Sequence, residues 1–122
     1  MFVRNIKEFK KKTNKKKIIC LDCGKKKVGI AISDENHKIS MPMETLVRNL
    51  EFYNNIIKII NDYNIGGILV GLPLDEGKKI NRMSQSIIDT TKNLDKYLNN
   101  YKLNIPFYFW DENYTSIEAE DS

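Results

Sequence analysis

Apolar residues in this chain fall into short runs broken by turn signals, with two longer stretches that repeat at helical spacing. Ile18-Ile19-Cys20-Leu21 and Val28-Gly29-Ile30-Ala31-Ile32 are rich in β-branched residues and are joined through Gly24 and three lysines. This pattern predicts two strands of a hairpin, at least one of them buried. Asp34-Glu35-Asn36-His37 reads as a turn. Residues 38–47 predict a third strand, interrupted at Pro42, which suits a sheet edge or a bulge. Phe52, Tyr53, Ile56, Ile57, Ile60 and Tyr63 lie at helical spacing and predict a helix over 49–63, ended by Asn64-Ile65-Gly66. Residues 67–71 form a wholly apolar run, the pattern of a strand covered on both faces. A second helix is predicted over 78–101, with Ile80, Met83, Ile87, Leu94, Tyr97, Leu98 and Tyr101 along one side. Residues 105–110 predict a fifth strand, with Pro106 near its start. Thr115-Ser116-Ile117-Glu118 matches a capping box and predicts a third helix, which within these 122 residues is under two turns long.

The predicted order is β-β-β-α-β-α-β-α. An antiparallel trio feeding parallel strands through helical crossovers makes an α/β protein: a mixed five-stranded sheet with flanking helices. That is the order of the ribonuclease H-like fold, here with its third helix truncated. A chain of 122 residues is one domain at most. No apolar run approaches the ~20 residues of a membrane span, which argues against a membrane partner.

Charge divides the chain in two. The net charge is +4, but residues 1–17 carry eight Lys and Arg against one Glu, whereas residues 18–122 carry twelve against fifteen acids. The expectation is a basic, disordered tail over 1–17 and a folded domain over 18–122. Lys15, Lys16 and Lys17 close the tail and are candidates for sequence-independent phosphate contact, as are Lys25, Lys26 and Lys27 of the hairpin turn. The tail lacks the apolar region of a secretory signal, so the plain reading is cytoplasmic. Phe2, Val3, Ile6 and Phe9 share one helical face, a pattern that keeps an organellar address open, though the tail is poor in Arg and Ser. Cys20 and Cys23 are the only cysteines and His37 the only histidine, too few ligands for a structural zinc. A straight strand points Cys20 and Cys23 to opposite faces, so they read as unrelated thiols of a reducing compartment.

Asp22 stands where the first apolar run gives way to the turn, two residues before Gly24. A carboxylate there costs free energy unless it meets water, a donor or a metal ion. Its plainer reading is a side chain capping its own turn. Asp111 and Glu112 follow the fifth strand, where their plainer role is to favour the N-terminus of the next helix. In the predicted order the ends of the first and fifth strands can be neighbours. Acids gathered there imply a cation between them. Mg²⁺ or Mn²⁺ held by oxygen ligands suits phosphodiester hydrolysis.

Four segments in order then carry a resemblance to the YqgF (RuvX-like) family: Leu21-Asp22-Cys23-Gly24 with Val28-Gly29-Ile30-Ala31, Val70-Gly71-Leu72-Pro73-Leu74, Asp111-Glu112, and Thr115-Ser116-Ile117-Glu118-Ala119. The resemblance spans residues 18–120. It implies a nuclease that resolves Holliday junctions or trims the 5′ end of pre-16S ribosomal RNA, acting on precursor rRNA or branched DNA as a monomer or homodimer. It also implies Asp22 as a metal ligand, with Glu112, joined by Asp111, as the second acidic position. Two departures stand out. Asn113 occupies the position where the family usually has an arginine, a residue able to hold phosphate bidentately. The family's last acid belongs further along the third helix than Ser122, and Asp121 comes too early to replace it. A binding module of the same fold, impaired in catalysis, is therefore the competing reading. A kinase- or actin-like phosphate loop is a third, but those proteins close two such domains on a nucleotide.

Overall fold

In the computed structural model, whose described residues are 1–24, 26–74, 77 and 79–111, five strands form one sheet in the order β3-β2-β1-β4-β5. In chain order the elements are α1 (Ile6–Lys12), β1 (Lys17–Cys23), β2 (Lys27–Ser33), β3 (Ser40–Val47), α2 (Glu51–Tyr63), β4 (Ile65–Leu72), α3 (Arg82–Asn100) and β5 (Phe107–Asp111). β1 pairs antiparallel with β2 and parallel with β4; β3 joins β2 antiparallel, and β5 joins β4 parallel. This is the mixed sheet with flanking helices that the element order predicts. The register between β2 and β3 shifts between Gly29 and Ala31, and Ala31 faces Pro42, so the proline sits at an irregularity of the edge strand, where a missing N–H is tolerated. The helix expected from Thr115 lies outside the described residues.

Two element ends depart from expectation, each because of one asparagine. Asn64 alone takes the left-handed conformation that ends α2 (φ 53°, ψ 53°), so the chain enters β4 at Ile65, before the two glycines. α3 starts at Arg82 because Asn81 caps it: the Asn81 side chain accepts from Ser84 N–H while the Ser84 hydroxyl accepts from Asn81 N–H. Ile80, expected on that helix, precedes the cap and is exposed.

Period-two alternation assigns the two faces of the sheet. On one face Ile19, Leu21, Val28, Ile30, Ile68 and Val70 meet Phe52, Ile56, Ile59 and Ile60 of α2 and Ile87, Leu94 and Leu98 of α3. Cys23 is buried on this face, whereas Cys20 belongs to the other, as strand geometry requires.

The second face carries the main correction. The segment 1–17, expected to be a disordered tail, is folded onto it. Val3, Phe9 and Ile18 form a second buried cluster with Ile6, Cys20, Leu69 and Tyr108 packed against it. Thr13 is fully buried, and its hydroxyl donates to the Phe9 carbonyl at 2.8 Å. The Asn5 side chain caps α1 by accepting from Glu8 N–H. Val3 N–H donates to the Phe107 carbonyl and Phe107 N–H to that of Met1, so the first residues also line the free edge of β5. Residues 1–17 hold too few apolar side chains to make a core, but they need only complete one whose other half is the sheet. Gly67 makes room for them: a Cβ there would lie 2.4 Å from Thr13 Cγ2 and 3.1 Å from Phe9 Cζ.

Candidate active-site cleft

Asp22 lies near the end of β1, the central strand, and its side chain is exposed on the α1 face of the sheet. Its register partners are Gly29 of β2 and Gly71 of β4. Both neighbours on its own face therefore lack side chains, and nothing along the strand pair covers the carboxylate. Gly71 in turn pairs with Trp110 of β5, so Asp22 and Trp110 belong to one row across the sheet. An open cleft of about 470 Å³ is lined here by Asp22, Gly29, Ala31, Pro42, Thr45 and Trp110 among others. β1 leads to β2 on one side, while β4 leads through α3 to β5 on the other, so the chain switches direction between β1 and β4. Open α/β sheets place ligands at such a switch, outside the carboxyl ends of the strands.

The turn that follows Asp22 is held firmly. Gly24 N–H donates to the Lys27 carbonyl at 2.7 Å, and a Cβ on Gly24 would sit 3.1 Å from that same oxygen. Arg48, which no sequence pattern singled out, holds the turn to the rest of the fold. Its backbone N–H donates to the Lys26 carbonyl at 2.8 Å and Nη1 to the Gly24 carbonyl at 2.9 Å. Its Nη2 reaches Ser86 Oγ at 3.0 Å and Thr90 Oγ1 at 2.8 Å on α3. Its partners are two carbonyls and two hydroxyls, split between the turn and a distant helix, which leaves no local signal to find it by.

The predicted residues separate into three groups. Asp22, Lys26 and Lys27 are exposed at one end of the sheet, and Lys25 lies outside the described residues. Asp111 closes β5 beside Leu72, and Glu112 lies outside the described residues. Lys15, Lys16 and Lys17 precede or begin β1, at its opposite end: five residues separate Lys17 from Asp22, about 17 Å at strand rise. His37, the lone histidine, is used structurally, with Nε2 against the Lys16 carbonyl at 2.8 Å. Among the described residues, no three His, Cys, Asp or Glu side chains gather to hold a metal, so Asp22 is the acid of the predicted set whose setting can be judged. An exposed carboxylate is a hard oxygen donor of the type Mg²⁺ and Mn²⁺ take. No helix among the described residues is long and apolar enough to cross a membrane.

Similarity to known proteins agrees with this geometry. A protein of Pelagibacter ubique, named as a candidate pre-16S rRNA nuclease, is 36% identical over 117 residues, covering 93% of this chain and 74% of the relative. An Orientia tsutsugamushi protein of the same name is 37% identical over 123 residues, covering 99% and 75%. Among solved structures, Thermus thermophilus RuvC in complex with a Holliday junction substrate superposes with a TM-score of 0.57 at 7% identity, covering 80% of this chain and 66% of that one, a likeness of fold. Residues 16–122 match the family RuvX, described as Holliday junction resolvase, and the chain belongs to that family.

Proposed function

We propose that this protein is a metal-dependent nuclease that cuts structured nucleic acid, with the 5′ end of precursor 16S rRNA as its substrate. The observation that carries this is Asp22: an exposed carboxylate at the end of the central strand, bare of side chains on both sides, facing an open cleft. The names of the relatives favour the ribosomal substrate. The family's description favours a four-way DNA junction as the second reading. A symmetric junction needs two matching cuts, so that reading carries a homodimer with it.

Asp22 and Glu112 would hold Mg²⁺ or Mn²⁺, with Asp111 the alternative second acid. The bound cation supplies charge stabilisation at the phosphate and a more acidic water. The chain's own residues do the rest. Asp22 faces the cleft, Gly29 beside it leaves space for a phosphodiester to approach the backbone, and Lys26 and Lys27 attract its phosphates.

Cleavage of labelled precursor rRNA and of a four-way junction tests this, with Mg²⁺, with Mn²⁺ and with chelator. Asp22→Asn and Glu112→Gln should each abolish metal-dependent cutting. Added Mn²⁺ should raise the melting temperature of the original protein with concentration and that of Asp22→Asn much less. Inertness of the original protein on both substrates in either metal would sink the nuclease reading. Equal Mn²⁺ stabilisation of the two proteins would move the metal away from Asp22.

A further inference from the structure

α1 lies outside the part of the chain that matches the family, since that match begins at residue 16. The helix is nevertheless seated on the sheet by a built socket: Phe9 and Thr13 fill the space that Gly67 leaves open. It covers the same face of the sheet that carries Asp22. Along β1 that face shows Ile18 and then Cys20, both packed in the α1 cluster, and then Asp22. Asp22 is thus about 7 Å beyond Cys20 and about 13 Å beyond Ile18 at strand rise. While Phe9 is buried, Lys7, Lys10, Lys11 and Lys12 of the same helix are all exposed.

We infer that α1 is a fixed phosphate-binding element that holds the nucleic-acid backbone next to the Asp22 cleft. This rests on the nucleic-acid substrate proposed above. The usual fate of exposed lysines is simple solvation, and three facts weigh against it here. Residues 18–122 carry a net negative charge, with fifteen acids against twelve Lys and Arg. Beyond the local pull of Lys26 and Lys27, that part of the chain is on balance repulsive to a polyanion, and the chain's excess positive charge lies in residues 1–17. The cations are also carried on a docked helix instead of a free tail, over the face of the sheet that carries Asp22. Finally, the helix is close: the stretch of β1 between Ile18, packed in the α1 cluster, and Asp22 is about 13 Å, the axial rise of about four base pairs of duplex at 3.4 Å each. A backbone bound at Asp22 and running back along β1 passes over the helix within that length.

The test is binding, kept apart from chemistry. Anisotropy of a labelled precursor-rRNA duplex and of a four-way junction would be followed across a salt titration, in chelator so that nothing is cut. The protein with Lys7→Gln, Lys10→Gln, Lys11→Gln and Lys12→Gln should bind more weakly at every salt concentration. Its salt dependence should be shallower by up to about 0.9 in log–log slope for each phosphate that is no longer neutralised. Arginine at the same four positions should restore both affinity and slope. The neutral variant should melt within a few degrees of the original, since Phe9 and Thr13 are untouched. Unchanged affinity and slope in the neutral variant would overturn the inference and leave the nuclease proposal standing. Should the neutral variant lose its melting transition as well as binding, the arginine protein decides: if it melts normally and still binds weakly, charge on α1 is not the cause and the inference fails. Absence of cutting by the original protein would strike the nuclease proposal, while the binding comparison would still judge the helix.

Discussion

Asp22 and Asp34 illustrate how neighbours decide what a carboxylate does. Asp22 has glycine on each side and faces the cleft. Asp34 turns its Oδ1 onto its own loop, accepting from Lys38 N–H at 2.8 Å and Ile39 N–H at 3.1 Å. The hydrogen bond from Ile39 N–H, with help from Lys38 N–H, holds the Asp34 carboxyl below the ordinary aspartate range. A carboxylate with a depressed folded-state pKa contributes stability above its unfolded-state value, and that contribution is lost as pH falls through the folded-state value. Asp34→Ala should therefore be less stable than the original protein at neutral pH, and the gap should close in acid. Urea unfolding across a pH series reads this directly. A gap independent of pH would mean that the loop is held by something other than the carboxylate.

At the scale of elements, two joints position the cleft. One is Arg48, which fastens the β1–β2 turn to α3 through Gly24, Ser86 and Thr90. The other is the seat of α1 on β4. Gly67→Ala would set a Cβ 2.4 Å from Thr13 Cγ2, closer than carbon atoms approach, and the atom it meets belongs to a short, buried side chain. The expected cost is that of overpacking, about 1–3 kcal/mol. It should appear first as release of α1, with the peptide before β1 becoming protease-sensitive while the far-UV signal of the sheet is kept. A variant as protease-resistant as the original would mean that α1 is not seated on Gly67.

For the molecule as a whole, the segment 1–17 supplies part of the core and also carries the chain's excess positive charge. Removing residues 1–14 would uncover Ile18, Leu69 and Tyr108 and discard the buried Phe9, a side chain worth about 1.5–3 kcal/mol of burial. A melting temperature lower by roughly 5 to 15 °C is expected for a chain of this size. An unchanged melting temperature would return the segment to the status of a tail. The distinction matters when nucleic-acid binding is measured, because truncation removes charge and packing together whereas lysine substitution removes charge alone.

Much of this architecture was legible in the sequence because it depends on local period. Runs of alternating β-branched residues, a helical repeat and a wholly apolar strand are set by which side chains must leave water. The five strands and the helices α2 and α3 follow from them in the right order. The Asp22, Val-Gly-Leu-Pro-Leu and Asp-Glu segments carried the family for the same reason: each is contiguous in the chain. What the sequence alone could not decide depends on pairs that are distant in the chain. Phe9 shows in the sequence only as one of four apolar residues on a helical face of a lysine-rich segment, because the socket that receives it and Thr13 is a glycine more than fifty residues away. Arg48 carries no signal in the sequence, because its partners lie on a turn and a helix that only folding brings to it. The setting of Asp22 between Gly29 and Gly71 likewise follows only from the sheet register. Local pattern records what each segment must bury; tertiary structure decides what it is buried against, and so which charges are left beside the cleft.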